Sequence, residues 1–260
     1  MILDELASYA KTRVANAKLR ITEKEIKDMA FSSPAGTHRF RNTLKKSGIS
    51  FICEIKKASP SKGIIDKEFD YLKIAEDYEN AGADCISCLT EPRWFLGTDE
   101  IFKAVRNKVS IPMLRKDFTV DEYQIYEAKC MGADAVLLIC AILTPEQIKR
   151  YLEICDRLGI DALVEAHNEE EINSALTAGA EIIGVNNRNL KNFTMNLDNA
   201  VSLRDCVPKD KIFVAESGIK TPDDIKVLRE SGVSAVLVGE TLMRADDKNT
   251  ALKMLKGELI

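Results

Sequence analysis

Histidine is nearly missing from this sequence: His38 and His167 are the only two, and neither sits at a spacing that suits a metal-ligand pair or a catalytic triad. Both read as structural. A surplus of positive charge is missing too, since 37 Lys and Arg against 41 Asp and Glu leave a net charge of -4 and a pI near 5.5. That balance argues against nucleic acid or an anionic membrane surface as a partner. No apolar stretch reaches the length of a membrane span, and residues 1–20 lack a signal-peptide core. The seven cysteines are odd in number and mostly lie inside apolar runs, which excludes a disulfide framework and suits thiols in a reducing cytoplasm. Cys85 and Cys88 form C-x-x-C, but on a strand residues three apart face opposite ways, so both read as packing.

What is present supports a full core, with an apolar share of 45% and 30% charged residues for the surface. A single domain over residues 1–260 is expected, with residues 1–47 as a helical N-terminal extension. In that extension Leu3, Leu6, Ala7, Ala10, Val14 and Ala17 recur at helical spacing. Thr22 and Glu25 make a capping box, and Phe40 and Leu44 precede Gly48 in a third short helix.

From Phe51 onward, short β-branched runs alternate with amphipathic helical segments. The runs fall at 51–55, 84–89, 111–114, 134–139, 161–164, 181–185, 211–215 and 234–238. Thr144-Pro145-Glu146-Gln147 and Thr221-Pro222-Asp223-Asp224 are helix starts, each with an N-cap, a proline at the first helical position and an acceptor at the third. Asp70, Asp121 and Asn168 are further N-cap candidates. Four glycines, Gly82, Gly132, Gly179 and Gly232, introduce similar text roughly every 50 residues, each leading into a strand. That period fits two strand–helix units, so four repeats predict eight units and a closed (β/α)8 TIM barrel. An open doubly wound sheet is the rival, but Lys57–Lys62 lacks the glycine fingerprint that usually follows its first strand.

The glycine-led strands are the even-numbered ones; the odd-numbered strands end in charge. Glu54 and Lys56 close the first, Lys116 the third, Glu165 the fifth and Glu216 the seventh. Strand C-termini face the active-site mouth of such a barrel, so two lysines and three glutamates should meet there. One strand end of this kind is explained by a structural ion pair; four are better explained by catalysis. The last two strands end in Glu216-Ser-Gly-Ile219 and Val238-Gly-Glu-Thr241, where Gly218 and Gly239 admit a close approach of backbone N–H groups. A helix N-terminus beside Gly239 should favour an anion, and Arg188 should add a charged donor, which together predict a phosphate site. Trp94, Phe95 and Phe118 follow the second and third strands and are candidates to stack on an aromatic substrate, with core packing as the default.

These residues resemble a known family. Glu54-Ile-Lys-Lys-Ala-Ser-Pro-Ser-Lys-Gly63, Leu114-Arg-Lys-Asp-Phe118, Leu163-Val-Glu165, Gly184-Val-Asn-Asn-Arg188, Glu216-Ser-Gly218 and Val238-Gly239 are similar to the indole-3-glycerol phosphate synthases of tryptophan biosynthesis. The match runs through all eight strands in order. The resemblance implies conversion of 1-(2-carboxyphenylamino)-1-deoxyribulose 5-phosphate into indole-3-glycerol phosphate, carbon dioxide and water, with no cofactor and no metal. It implies Lys116 as general acid, Lys56 as holder of the substrate carboxylate or second proton donor, and Glu165 as base or electrostatic stabiliser. Glu54 would orient the lysines; Asn186, Glu216 and Ser217 would complete the polar wall. Ser59, Arg188, Gly218 and Gly239 would bind phosphate, and Phe118 with Trp94 or Phe95 would flank the ring. The division of labour between Lys56 and Lys116 stays open at this level. A lysine in a desolvated mouth is expected to release its proton more readily.

Trp94 stands where the family more often has a smaller aromatic residue, and Glu240-Thr241 follows Gly239 where serine is common. Two rival readings are a phosphoribosylanthranilate isomerase-like barrel and a non-catalytic phosphate-sugar binding barrel. The first does not require both lysines, and the second needs the glycine loops but no converging charges. The expected partner is a small-molecule substrate alone, the expected state a monomer, and the expected location the cytoplasm.

Overall fold

A computed structural model of the chain describes residues 2–188 and 194–258. Three helices come first: α1 (Ile2–Lys18), α2 (Glu23–Ser32) and α3 (Arg39–Leu44). Eight parallel strands follow: β1 (Ser50–Ile55), β2 (Cys85–Leu89), β3 (Met113–Lys116), β4 (Ala135–Ile139), β5 (Asp161–Ala166), β6 (Ile182–Asn186), β7 (Ile212–Glu216) and β8 (Ala235–Val238). Between and after them lie α4 (Tyr71–Asn80), α5 (Asp99–Lys108), α6 (Tyr123–Cys130), α7 (Pro145–Leu158), α8 (Glu169–Ala178), α9 (Asp198–Leu203), α10 (Pro222–Glu230), α11 (Glu240–Arg244) and α12 (Lys248–Lys256). Each strand pairs with its sequence neighbours, and the first closes on the last with Ile52 beside Leu237. The chain is a (β/α)8 TIM barrel preceded by helices.

Local chemistry sets the helix starts. Thr22, Thr144 and Thr221 each form a reciprocal capping box, and Asp70 and Asn168 cap α4 and α8 through their side chains. Asp121 sits one position before the α6 cap and accepts instead from the Tyr123 N–H. The third strand begins later than its apolar run suggests, at Met113 and not at 111, because Pro112 has no N–H to offer a ladder. That shift makes Lys116 the last strand residue. The stretch after β1 is also more ordered than a plain loop: Ala58–Ser59 pairs antiparallel with Gly63–Ile64 around the Pro60 turn.

Alternation along the strands splits the core in two. Ile52, Leu114, Leu163 and Leu237 fill the barrel interior, while Phe51, Cys53, Ile86 and Val164 face the helix ring. Cys85 belongs to the interior and Cys88 to the outer layer, as three-residue spacing on a strand requires. The interior also contains Phe40 and Leu44 of α3, both fully buried in the same cluster as the first residues of β2, β6, β7 and β8. They plug the N-terminal end, and His38 and Arg41 beside them bind Asp161 at the start of β5. No helix among the described residues is long and apolar enough to cross a membrane.

Phe40→Ala empties the plug and should destabilise the barrel by about 3–5 kcal/mol. The check is urea unfolding followed by far-UV circular dichroism, in which the midpoint should fall with the slope unchanged.

Candidate active site

The C-terminal end of the barrel opens into a cavity of about 360 Å³. Its floor is apolar, made by Leu137 and Leu237, and its walls carry charge from four different strands. Period-two geometry brings this about: Glu54 lies two positions beyond Ile52 on β1, so it continues the inward face, and Glu165 stands in the same relation to Leu163 on β5.

Lys116 is the hub. Its Nζ lies 2.8 Å from Glu216 Oε2, 3.8 Å from Glu165 Oε2 and 4.0 Å from Glu54 Oε2. Lys56 Nζ joins the group through Glu54 Oε1 at 2.5 Å, so one carboxylate bridges both ammonium groups. Burial by itself disfavours the Lys116 ammonium, but Glu216, Glu165 and Glu54 outweigh it and raise its pKa. The expected loosening of the proton is therefore overturned: desolvation acts in that direction, and three nearby negative charges win. Glu216 shows the converse balance. Burial, aided by Glu165 and Glu54, pushes its carboxyl up to about 7 although Lys116 pulls it down. Glu54 is also buried, yet Lys56 and Lys116 hold its pKa below the ordinary value.

Room for these carboxylates comes from glycine on or just after the neighbouring strand. A Cβ on Gly184 of β6 would stand 2.2 Å from Glu216 Oε1, and one on Gly239 would stand 2.5 Å from Glu54 Oε1 and 3.1 Å from Lys56 Nζ. Gly239 thus makes space for the charged cluster as well as bordering the cavity. Nothing in the sequence pattern ties Gly184 to Glu216, which lies on another strand.

A second corner gathers donors. Ser217 and Gly218 both adopt positive φ, 67° and 84°, and the Ser217 carbonyl accepts from Asn187 Nδ2 at 3.0 Å. Asn187 Oδ1 in turn accepts from the Ala200 N–H, so this buried side chain pins the turn after β7 to α9. The sequence reading named Asn186, which borders the cavity and accepts from the Arg188 N–H, but not Asn187 behind it. Arg188 Nη1 donates to Ser61 at 2.8 Å, while Ser59 Oγ is buried without a partner among the described residues. The helix start beside Gly239 is less free for an anion than expected. Its first residue, Glu240, lies 3.7 Å from Lys62, 3.8 Å from Arg188 and 3.0 Å from Arg244.

Phe95 and Phe118 border the cavity together, ring centroids 6.1 Å apart. Trp94 does not line it. Its ring packs edge-on against Tyr9 of α1 at 5.6 Å and under Arg93 at 4.7 Å, because Glu91 accepts from successive backbone N–H groups of the turn and directs Trp94 outward. Two contributions were not legible in the motifs. Ile2, Leu3 and Leu6 of α1 cover one side of the mouth, and Arg13 of the same helix grips Asp117, next to Lys116, through two hydrogen bonds of 2.6 and 3.0 Å.

A closed parallel barrel with acids and ammonium groups at its C-terminal mouth, and a donor corner after its last strands, defines a TIM-barrel enzyme acting on a small anionic substrate. The fold alone is shared widely. 3-Hexulose-6-phosphate synthase aligns with a TM-score of 0.66 at 15% identity, over 82% of this chain and 100% of that one. A thiamine phosphate pyrophosphorylase from Pyrococcus furiosus aligns at 0.62 with 18% identity, over 84% and 96%. Sequence is more specific: the family model for indole-3-glycerol phosphate synthase matches residues 3–255. The indole-3-glycerol phosphate synthases of Ruminiclostridium cellulolyticum and Endomicrobium trichonymphae are each 52% identical, covering 99% and 98% of this chain and 99% and 100% of theirs. The chain belongs to the indole-3-glycerol phosphate synthase family, carboxy-lyases of tryptophan biosynthesis.

Glu216 has a direct stability signature. Its raised pKa means that the folded state keeps a proton which the unfolded chain gives up near the ordinary carboxyl value, so its ionisation erodes stability as pH rises from there through about 7. Glu216→Gln should therefore be more stable than the parent by about 1–3 kcal/mol at pH 8 and show little gain at pH 4. Urea midpoints at the two pH values check this.

Proposed function

We propose that this mouth closes the indole ring of 1-(2-carboxyphenylamino)-1-deoxyribulose 5-phosphate, with Lys116 as general acid. The observation that carries the assignment is the single buried ammonium within 4.0 Å of carboxylates from β1, β5 and β7. The substrate phosphate sits in the corner of Ser59, Arg188, Gly218 and Gly239, and its aromatic ring lies against Phe95 and Phe118. Lys56 faces the substrate carboxylate.

Bond formation runs from the ring carbon bearing that carboxylate to the ribulose carbonyl carbon. The carbonyl oxygen becomes an alkoxide, which is more basic than a lysine amine, so even a tightly held Lys116 proton transfers to it. The C–C bond to the carboxylate then breaks, its electron pair restores the ring, and carbon dioxide leaves. Dehydration follows: an ammonium group protonates the departing hydroxyl, and Glu165 stabilises the cationic intermediate and accepts the proton released as the double bond forms. Glu54 holds the two lysines in register. Glu216, Asn186 and Ser217 complete the wall around the reacting carbons. Its raised pKa leaves Glu216 holding a proton near neutrality that it can return to Lys116 once that amine has given its own to the alkoxide. A non-catalytic phosphate-sugar barrel has no use for five charges packed this closely, and an isomerase site does not need two lysines. We further propose a cytoplasmic monomer with no nucleic-acid or membrane partner, in keeping with the net charge of -4 and the lack of a long apolar run.

Lys116→Ala should lower turnover by at least about 10²–10⁴-fold while inorganic phosphate still binds. Indole fluorescence after addition of the substrate, without metal, reads the rate; carbon dioxide release at the parental rate would overturn the assignment. Arg188→Ala should raise KM for the phosphorylated substrate by about 10-fold or more and change kcat little, since the lost contact is to a non-reacting group.

A further inference from the structure

The scheme above leaves His167 without a task, yet it stands directly beyond β5, two residues from Glu165. Glu171 on the first turn of α8 holds it twice: Oε2 accepts from the His167 backbone N–H at 2.9 Å and lies 3.0 Å from Nδ1. A carboxylate only accepts, so Nδ1 carries a hydrogen. The other ring nitrogen, Nε2, is buried, has no hydrogen-bond partner among the described residues, and faces Glu165 Oε1 at 3.5 Å. Without a proton, Nε2 would set a lone pair against a buried carboxylate oxygen. With one, the imidazole has an acceptor at each end.

We infer that His167 is a positioning residue for Glu165: held by Glu171 as an imidazolium, it points an N–H at the catalytic carboxylate and keeps it aimed at Lys116. The inference rests on the proposed role of Glu165 in the reaction. It departs from the reading of His167 as merely structural. The surroundings favour the cation. Burial opposes it, but Glu171 and Glu165, with a smaller contribution from Glu216 on β7, raise its pKa. Lys116 on β3 touches the opposite oxygen of Glu165 at 3.8 Å, so the carboxylate is shared between two cations. The Cys140 thiol after β4, near the Glu171 carbonyl, is pushed up to about 12 by burial and stays neutral. His38 and Arg41 lie at the other end of β5, with Asp161.

A role confined to anchoring α8 would need only the Glu171 contacts, so the tests address Nε2. With just two histidines in the chain, imidazole nitrogen NMR of the unmodified, unliganded protein resolves each ring. His167 should carry hydrogen on both nitrogens at pH 7, and Glu165→Gln should lower its titration midpoint by about one unit or more. In turnover, His167→Gln should keep an N–H donor and lose about 10-fold in kcat, His167→Leu about 100-fold, both with KM within about twofold. The acid limb of the kcat profile should move to higher pH in both variants, as the carboxylate cluster of the mouth loses a neighbouring cation. A neutral His167 at pH 7, or an acid limb unmoved in a folded His167→Leu, overturns the proposal. The NMR result does not depend on activity: a doubly protonated ring in a protein that fails to form indole would sink the assignment of the reaction and leave the pairing standing.

Discussion

A buried ammonium needs compensation, and at the centre of this protein one lysine finds it in three carboxylates drawn from three strands. Lys116 has no other means of staying charged out of water, and Glu54, Glu165 and Glu216 would repel one another without it. The result is a cluster in which protons are redistributed: Lys116 holds its own more tightly than a free lysine, and Glu216 is left near neutrality. Much of the surrounding architecture serves this group. Gly184 on β6 and Gly239 just after β8 leave out a side chain where a carboxylate must lie, and Leu137 and Leu237 make the floor apolar.

The N-terminal helices are part of the same arrangement. At the bottom, Phe40 and Leu44 fill the space that the strand side chains leave open. At the top, Leu3 and Leu6 of α1 exclude water from one side of the mouth, while Arg13 locks Asp117 and with it the chain on which Lys116 and Phe118 are carried. Asp117 also accepts from Thr90 and from the Phe118 N–H, so the backbone after β3 is held from three directions. Catalytic groups that must meet a substrate within fractions of an ångström need such support.

Much of the fold and most of the charged cluster were legible because barrel repeats, caps and period-two alternation are local or regular signals. Glu54, Lys56, Lys116, Glu165 and Glu216 end odd-numbered strands, and the closed sheet brings them together as that parity requires. Other features depended on contacts between segments distant in the chain. Trp94 looked like a ring-stacking residue, but Glu91 and Tyr9 turn it away from the cavity. Ser59 and Ser61 both border the cavity across the hairpin around Pro60, but only Ser61 accepts from Arg188 among the described residues. Glu240 pairs with Arg244 one helical turn on, as i,i+4 spacing allows, but no spacing rule brings Lys62 and Arg188 within reach of it.

The sequence by itself determined the eight-unit barrel, its capped helices, the acids and lysines of its mouth and the family to which they belong. These follow from repeats and from which residue types occupy strand ends. Tertiary structure alone decided where protons sit and which groups are supported: that Lys116 grips its proton, that Glu216 does not stay fully ionised, and that His167 faces Glu165. Such outcomes depend on distances of 3–4 Å between residues about 50 to 100 positions apart, or on a ring orientation, and electrostatic energy at that range is set by geometry and burial, neither of which a linear pattern encodes.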